Sequence, residues 1–159
     1  MQYTAKGVHN RHFELLDASS TAVGKLDYTS WFSINAEIHL QDGSVYGIGS
    51  TNFWHTSIHM TKDGIEVCNI KYNWKGQTIV TFAAGGTYLI KHTGFFNSGF
   101  VLVNENEREL ISMKADFDWS KLSFNYLIET NDDYAEGKDV TLILLALYCT
   151  NQMKNRQAV

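Results

Sequence analysis

In the run INAEIHLQ, residues 34–41, apolar and polar side chains alternate without exception. A period of two puts Ile34, Ala36, Ile38 and Leu40 on one face of a β-strand. Asp42-Gly43 follows at once and then a second apolar segment, 45–48, so the chain turns back in a hairpin whose glycine accepts positive φ. Lys62-Asp63-Gly64 repeats the device between segments 55–61 and 65–72. Strands are also predicted at 78–83, 87–92, 99–104, 109–117 and 122–129, with Gly85-Gly86 turning the first into the second. In the last of these, Leu122, Phe124, Tyr126 and Ile128 face one way against Ser123 and Asn125. Upstream, segments 13–17 and 23–28 are joined by the polar turn 18–21. The prediction is an antiparallel meander of about eleven strands in a single domain spanning 1–159.

The segment DVTLILLALYC, 139–149, breaks this pattern. Asp139 is placed to cap a helix, predicted over 140–153, ahead of a run rich in Leu and Ala. A helix apolar on every side must be surrounded by protein. About eleven strands close into a barrel roughly 21 Å across, leaving about 10 Å from axis to wall, the distance at which packed layers sit. The fold expectation is therefore a mainly β, closed antiparallel barrel of 11–12 strands around a hydrophobic C-terminal helix. Leu142, Ile143, Leu144, Leu145 and Leu147 form the core of that helix. The rival is a final buried strand in a β-sandwich or calycin-like barrel, disfavoured by the scarcity of β-branched residues in LILLAL.

A membrane span needs about 20 apolar residues and this run has half that, so no transmembrane segment is expected. The N-terminus shows no signal-peptide pattern, and the expected location is the cytoplasm. A net charge of -4 argues against nucleic acid as a partner. Cys68 and Cys149 are isolated and read as buried, reduced thiols. There is no proline, so the turns rest on Gly and Asx residues. Apolar residues on both faces of the strand from Ile65 (Ile65, Val67, Cys68, Ile70, Tyr72) hint at a covering surface such as another subunit.

Two stretches, FELLDASSTAVGKLDY near the start and DVTLILLALYC near the end, resemble the opening strand, turn and second strand and the terminal helix of the tubby C-terminal-like superfamily. That superfamily includes LURP-one-related proteins and phospholipid scramblases. The resemblance implies a barrel of about twelve strands around a hydrophobic helix, and phosphoinositide binding through basic residues on the exterior. Those basic residues do not align here one by one. The proline-rich and cysteine-rich segments of scramblase-like members are missing, so the chain looks like the short members of the superfamily.

The six histidines raise a metal site, sharpest at His55 and His59, faintly similar to a cupin motif. On one strand these two would lie about 13 Å apart, too far to share an ion. His39 reads as a surface residue. Asp116, Asp118, Asp132 and Asp133 are candidates from which an acid pair for glycoside hydrolysis could be drawn, against the plainer reading of solvated loops. No serine lies in a GxSxG setting and no phosphate loop occurs. Trp31, Phe32, Phe53 and Trp54 offer flat faces for sugar stacking, although aromatics mostly build cores. The stretch KYNWKG, with Lys71, Trp74 and Lys75, suits contact with a lipid headgroup if it forms a turn.

The expected function is a non-enzymatic cytoplasmic binding or scaffold domain, with a protein or lipid partner and no cofactor. One alternative is a peripheral binder of phosphoinositide or anionic phospholipid that uses Lys71, Trp74 and Lys75. The other is a small metal-dependent or sugar-active β-barrel enzyme.

Overall fold

The computed structural model describes residues 1–31, 33–50, 57–93 and 99–157. Twelve strands follow in order: β1 (Gln2–Val8), β2 (His12–Leu16), β3 (Ala22–Tyr28), β4 (Ala36–Leu40), β5 (Val45–Ser50), β6 (Ile58–Lys62), β7 (Ile65–Tyr72), β8 (Thr78–Phe82), β9 (Thr87–Thr93), β10 (Gly99–Val103), β11 (Glu109–Asp118) and β12 (Ser123–Thr130). A 3-10 turn, Ala135–Lys138, leads into α1 (Val140–Gln157). Each strand pairs antiparallel with its neighbours in sequence, and β1 pairs with β12 to close the barrel. Twelve strands at about 4.8 Å spacing and a tilt near 36° give a diameter of about 23 Å, enough for a helix and its side chains.

The predicted helix is present and lies inside the barrel. Every residue from 142 to 153 is buried, more than three helical turns with no exposed face, which a helix resting on the outside of a sheet does not achieve. Leu142, Ile143, Leu144, Leu145 and Leu147 belong to this core. They meet inward residues of the wall such as Leu26, Ile38, Ile70, Ile90 and Ile128. Asp139 caps the helix as expected, its Oδ1 accepting the Thr141 amide at 3.0 Å. Between α1 and Ile90, Phe100 and Met113 the packing admits no water molecule. The wall is apolar inside and carries Lys6, Glu14, Lys25, His39 and Lys71 outside, the inverse of the outer apolar band of a membrane-spanning barrel. Among the described residues no helix is long and apolar enough to cross a membrane.

Four features differ from the sequence reading. β1 went unpredicted because its inward positions are Tyr3, Ala5 and Gly7, and the two small ones carry no hydrophobic signal. Leu122 is not a strand residue: it sits in the β11–β12 turn at φ 50° and is 55% exposed. The helix runs to Gln157 rather than 153, its last turn becoming polar as it emerges from the barrel. The apolar residues on both sides of β7 have a source within the barrel wall. A register slip at the Met60/Thr61 step inserts one extra residue in β7, so Val67 packs against the core beside the inward Cys68, while Ile65 is exposed.

Where the helix turns polar, Thr150, Asn151 and Gln152 are still buried. Asn151 Nδ2 donates to the Tyr28 hydroxyl at 3.1 Å and to the Asn10 carbonyl at 3.2 Å, and Asn151 Oδ1 accepts the Tyr126 hydroxyl at 3.0 Å. The Tyr148 hydroxyl donates to the Ile34 carbonyl at 2.8 Å and accepts from Gln152 at 3.3 Å. This belt fixes the axial position of the helix, since a slide of one residue would strand all of these groups.

Burial pushes the phenols of Tyr28, Tyr72, Tyr126 and Tyr148 above the usual tyrosine range. The unfolded chain releases these protons near pH 10 while the folded chain holds them, so stability is fully present below about pH 10 and falls as pH rises beyond it. In an alkaline titration these four of the eight tyrosines are expected to ionise only as the helical circular dichroism is lost. Ionisation of all eight near pH 10 with the fold intact would contradict the buried belt. Both cysteines are free and buried, as read from the sequence, and burial lifts the Cys68 thiol to about 12.

Candidate functional site

An up-and-down barrel sends alternate turns to opposite ends. One end carries the turns after β1, β3, β7 and β11, together with the exit of α1. The other carries the turns after β2, β4, β6, β8 and β10, together with the connection from β12 to α1. The two ends differ in chemistry.

The first end holds three exposed tryptophans: Trp31 after β3, 63% exposed, Trp74 after β7, 91%, and Trp119 after β11, 80%. Val8 and Leu122 add exposed apolar surface there. Five cations accompany them: Arg11, Lys75, Lys121, Lys154 and Arg156. The described connecting residues of this end, 9–11, 29–31, 33–35, 73–77 and 119–122, contain no Asp or Glu. Asp118, the last residue of β11, borders this end and accepts the amide and hydroxyl of Ser120 at 2.9 and 2.7 Å.

The opposite end is acidic. Asp17, Asp42, Asp63, Glu105 and Glu107 lie in its turns, and Asp132, Asp133, Glu136 and Asp139 in the connection to the helix, against Lys62 beside Asp42, Arg108, Lys138 and the Met1 ammonium, which pairs with Asp132 at 2.9 Å. The overall charge of -4 hides a dipole along the barrel axis, positive where the tryptophans are.

Local structure explains why these large side chains stand in water. In the β7–β8 turn, Asn73 Oδ1 accepts the amides of Lys75 at 3.0 Å and Gln77 at 2.9 Å, and Gly76 takes φ 77°, a conformation that favours glycine. The Asx turn consumes the local backbone donors and pushes Trp74 outward, with Lys75 Nζ 5.4 Å from its ring centre. Arg11 donates to the Ser33 carbonyl at 2.9 Å and lies 6.0 Å from the Trp31 ring, which His9 meets at 5.5 Å. Trp119 packs edge-on against Phe117 at 4.8 Å. Lys154 and Arg156, on the emerging helix, lie over Phe124 at 4.8 Å and Tyr72 at 3.7 Å.

Of the residues proposed from the sequence, Trp74 and Lys75 are brought together in this turn. Lys71 projects from the outer wall on β7, next to the last residue of the strand and three residues, about 10 Å, from Trp74. Trp31 stands at the same end, while Phe32, Phe53, Trp54 and His55 lie outside the described residues. His39 is on the outer wall, 3.8 Å from Glu37. The structure separates the acidic candidates, Asp116 and Asp118 toward the tryptophan end and Asp132 and Asp133 at the other. Among the described residues no group of three or more His, Cys, Asp or Glu side chains is placed to hold a metal ion. The sequence reading passed over Arg11, Trp119, Lys121, Lys154 and Arg156, although the alternation of turns in a meander would have grouped them. No family model, no curated protein and no solved structure matches this chain.

Proposed function

We propose that this chain is a peripheral binding module whose tryptophan-bearing, cationic end docks on membranes containing anionic phospholipid. The observation that carries the reading is the convergence of Trp31, Trp74 and Trp119 with five cations on one end, while the carboxylates gather at the other. Tryptophan favours the headgroup region, where its ring is partly dehydrated and its N–H still finds a partner. Each Lys or Arg held near an anionic leaflet contributes about 1 kcal/mol. The axial dipole would turn the molecule so that this end meets the surface first. A tubby-like identity belongs to the same proposal and rests on the shape of barrel and helix. The docking surface is the end of the barrel and does not depend on exterior residues carried over from that superfamily.

Sedimentation with phosphatidylcholine vesicles, with and without phosphatidylserine, tests this. The protein is expected to pellet with the anionic vesicles at about 0.1 M salt and to be released toward 1 M, where the Debye length falls from about 10 to about 3 Å. Reversing Lys75 and Lys121 to glutamate should weaken binding about 30-fold or more, from the loss of about 1 kcal/mol at each site. Lys71→Glu, on the wall, should have far less effect. Absence of the chain from the anionic pellet at low salt would overturn the reading and leave the same surface to a protein partner.

A further inference from the structure

We propose that Ser57, His59, Glu66 and Asn69 form an acyl-transfer site on the outer wall of the barrel, with acyl esters as the substrate class. Ser57 immediately precedes β6 and lies two residues from His59, so both side chains project from the same face. The Ser57 hydroxyl lies 3.2 Å from His59 Nε2. On the far side of the ring, His59 Nδ1 bonds Glu66 Oε1. This is the order nucleophile, base, orienting carboxylate, recognised by geometry and not by sequence position. With Nδ1–H directed to the carboxylate, Nε2 is left as the acceptor for the serine proton. Asn69, paired with His59 across the sheet, donates from Nδ2 to Ser57 Oγ at 3.3 Å, and that amide also lies 3.5 Å from His59 Nδ1.

Strict alternation would not build this array. Counting back along β7 from the outward Asn69, Val67 would face out and Glu66 in. The extra residue at the β6–β7 register slip reverses that parity, pairs Glu66 with Thr61 and turns its carboxylate onto the face of His59. Bulges re-aim side chains in this way and are enriched beside active sites. All four side chains are at least partly open to solvent, so an ester can reach Ser57 Oγ without entering the filled barrel.

In the reaction, Ser57 Oγ bonds the acyl carbon while its proton passes to His59 Nε2. The bond to the alkoxy leaving group then breaks and that oxygen takes the proton from Nε2. Water attacks the acyl-serine, giving one proton to His59, and carboxylic acid leaves as Ser57 Oγ recovers the proton. Asn69 Nδ2, already within hydrogen-bonding distance of Oγ, donates to the oxyanion formed on the adjacent carbon. Glu66 is a positioning residue that holds the imidazole in the competent tautomer.

A fluorophosphonate probe tests the site, since Ser57 Oγ would displace fluoride from phosphorus and become covalently phosphonylated. The folded protein is expected to carry the label on Ser57, and Ser57→Ala to carry none. His59→Gln should label at least about 100-fold more slowly, the lower range for loss of a general base. Asn69→Ala should be slower by about 100-fold or more, as for loss of an oxyanion donor. Glu66→Gln should slow labelling and Glu66→Asp should recover most of it, which a purely structural role would not produce. Because these side chains lie outside the core, melting midpoints close to the parent identify variants that remain folded. A folded protein left unlabelled at Ser57, or labelled there equally fast in folded His59→Gln or in folded Asn69→Ala, would overturn the proposal.

Discussion

Replacing Asn151 with alanine is expected to lower unfolding free energy by about 3–5 kcal/mol, because it strands the Tyr126 hydroxyl, the Tyr28 hydroxyl and the Asn10 carbonyl at once. A buried polar group left without its partner costs about 1–3 kcal/mol, and all three lie where α1 passes between β12, β3 and the β1–β2 turn. For a chain of this length the melting midpoint should fall by about 6–20 °C. The hydrogen bonds are coupled, which a double-mutant cycle detects: Tyr126→Phe should cost at least about 1 kcal/mol less in the Asn151→Ala background than in the parent. Urea unfolding monitored by circular dichroism checks both values. A loss under about 1 kcal/mol would mean that the belt does not hold the helix.

Gly7→Ala is the second large effect, about 3 kcal/mol, acting on the closing seam instead of the helix. A Cβ at this position would lie 2.3 Å from Ser123 Oγ, 2.5 Å from the Phe124 carbonyl oxygen and 2.6 Å from the Phe13 ring, and the backbone oxygen cannot swing away as a flexible side chain would. Beyond the Ala5–Tyr126 pair, side chains join one backbone bond, from the His9 amide to the Lys121 carbonyl at 3.0 Å, in the closure. Asn125 Oδ1 accepts the Gly7 amide at 2.9 Å, Asn10 Oδ1 accepts the Phe124 amide at 2.7 Å, and Ser123 Oγ accepts the Asn10 amide at 3.1 Å. A methyl group wedged here should pry β1 from β12 at the tryptophan end. Alanine in place of Gly47, where the nearest atom is Thr61 Oγ1 at 3.6 Å, provides the control and should be nearly neutral. Similar losses from the two substitutions, read from melting curves, would show that the seam is not crowded.

The barrel was legible because two signals agree. Period-two alternation, clearest at 34–41, gives half-buried strands, and a helix greasy on every side demands a wall all round it. The missed strand, β1, shows the limit of that reading: Ala5 and Gly7 face inward because the seam is crowded, and hydrophobicity does not register positions chosen for smallness. Leu122 shows a second limit, since in the sequence it continues the alternation of Phe124 and Tyr126, while its backbone has already entered the left-handed turn and its side chain is exposed.

The candidate sites were less legible, for reasons of topology. Trp74 and Lys75 are adjacent in sequence and were found. Trp31 and Trp119 reach the same end only through the counting of turns, and Lys154 and Arg156 arrive there because the helix threads the barrel. The Ser57 array depends on one inserted residue in β7, and a single-residue bulge leaves no periodic trace in a strand eight residues long.

Native-state hydrogen exchange tests most directly whether the apolar helix is held inside a closed wall. The amides of Leu144 to Cys149 are expected to exchange only through global unfolding, as slowly as the most protected amides of β3 and β12, because no partial opening exposes an enclosed helix. Helix amides that exchange faster than those strands, with the strands still protected, would place the helix outside the barrel.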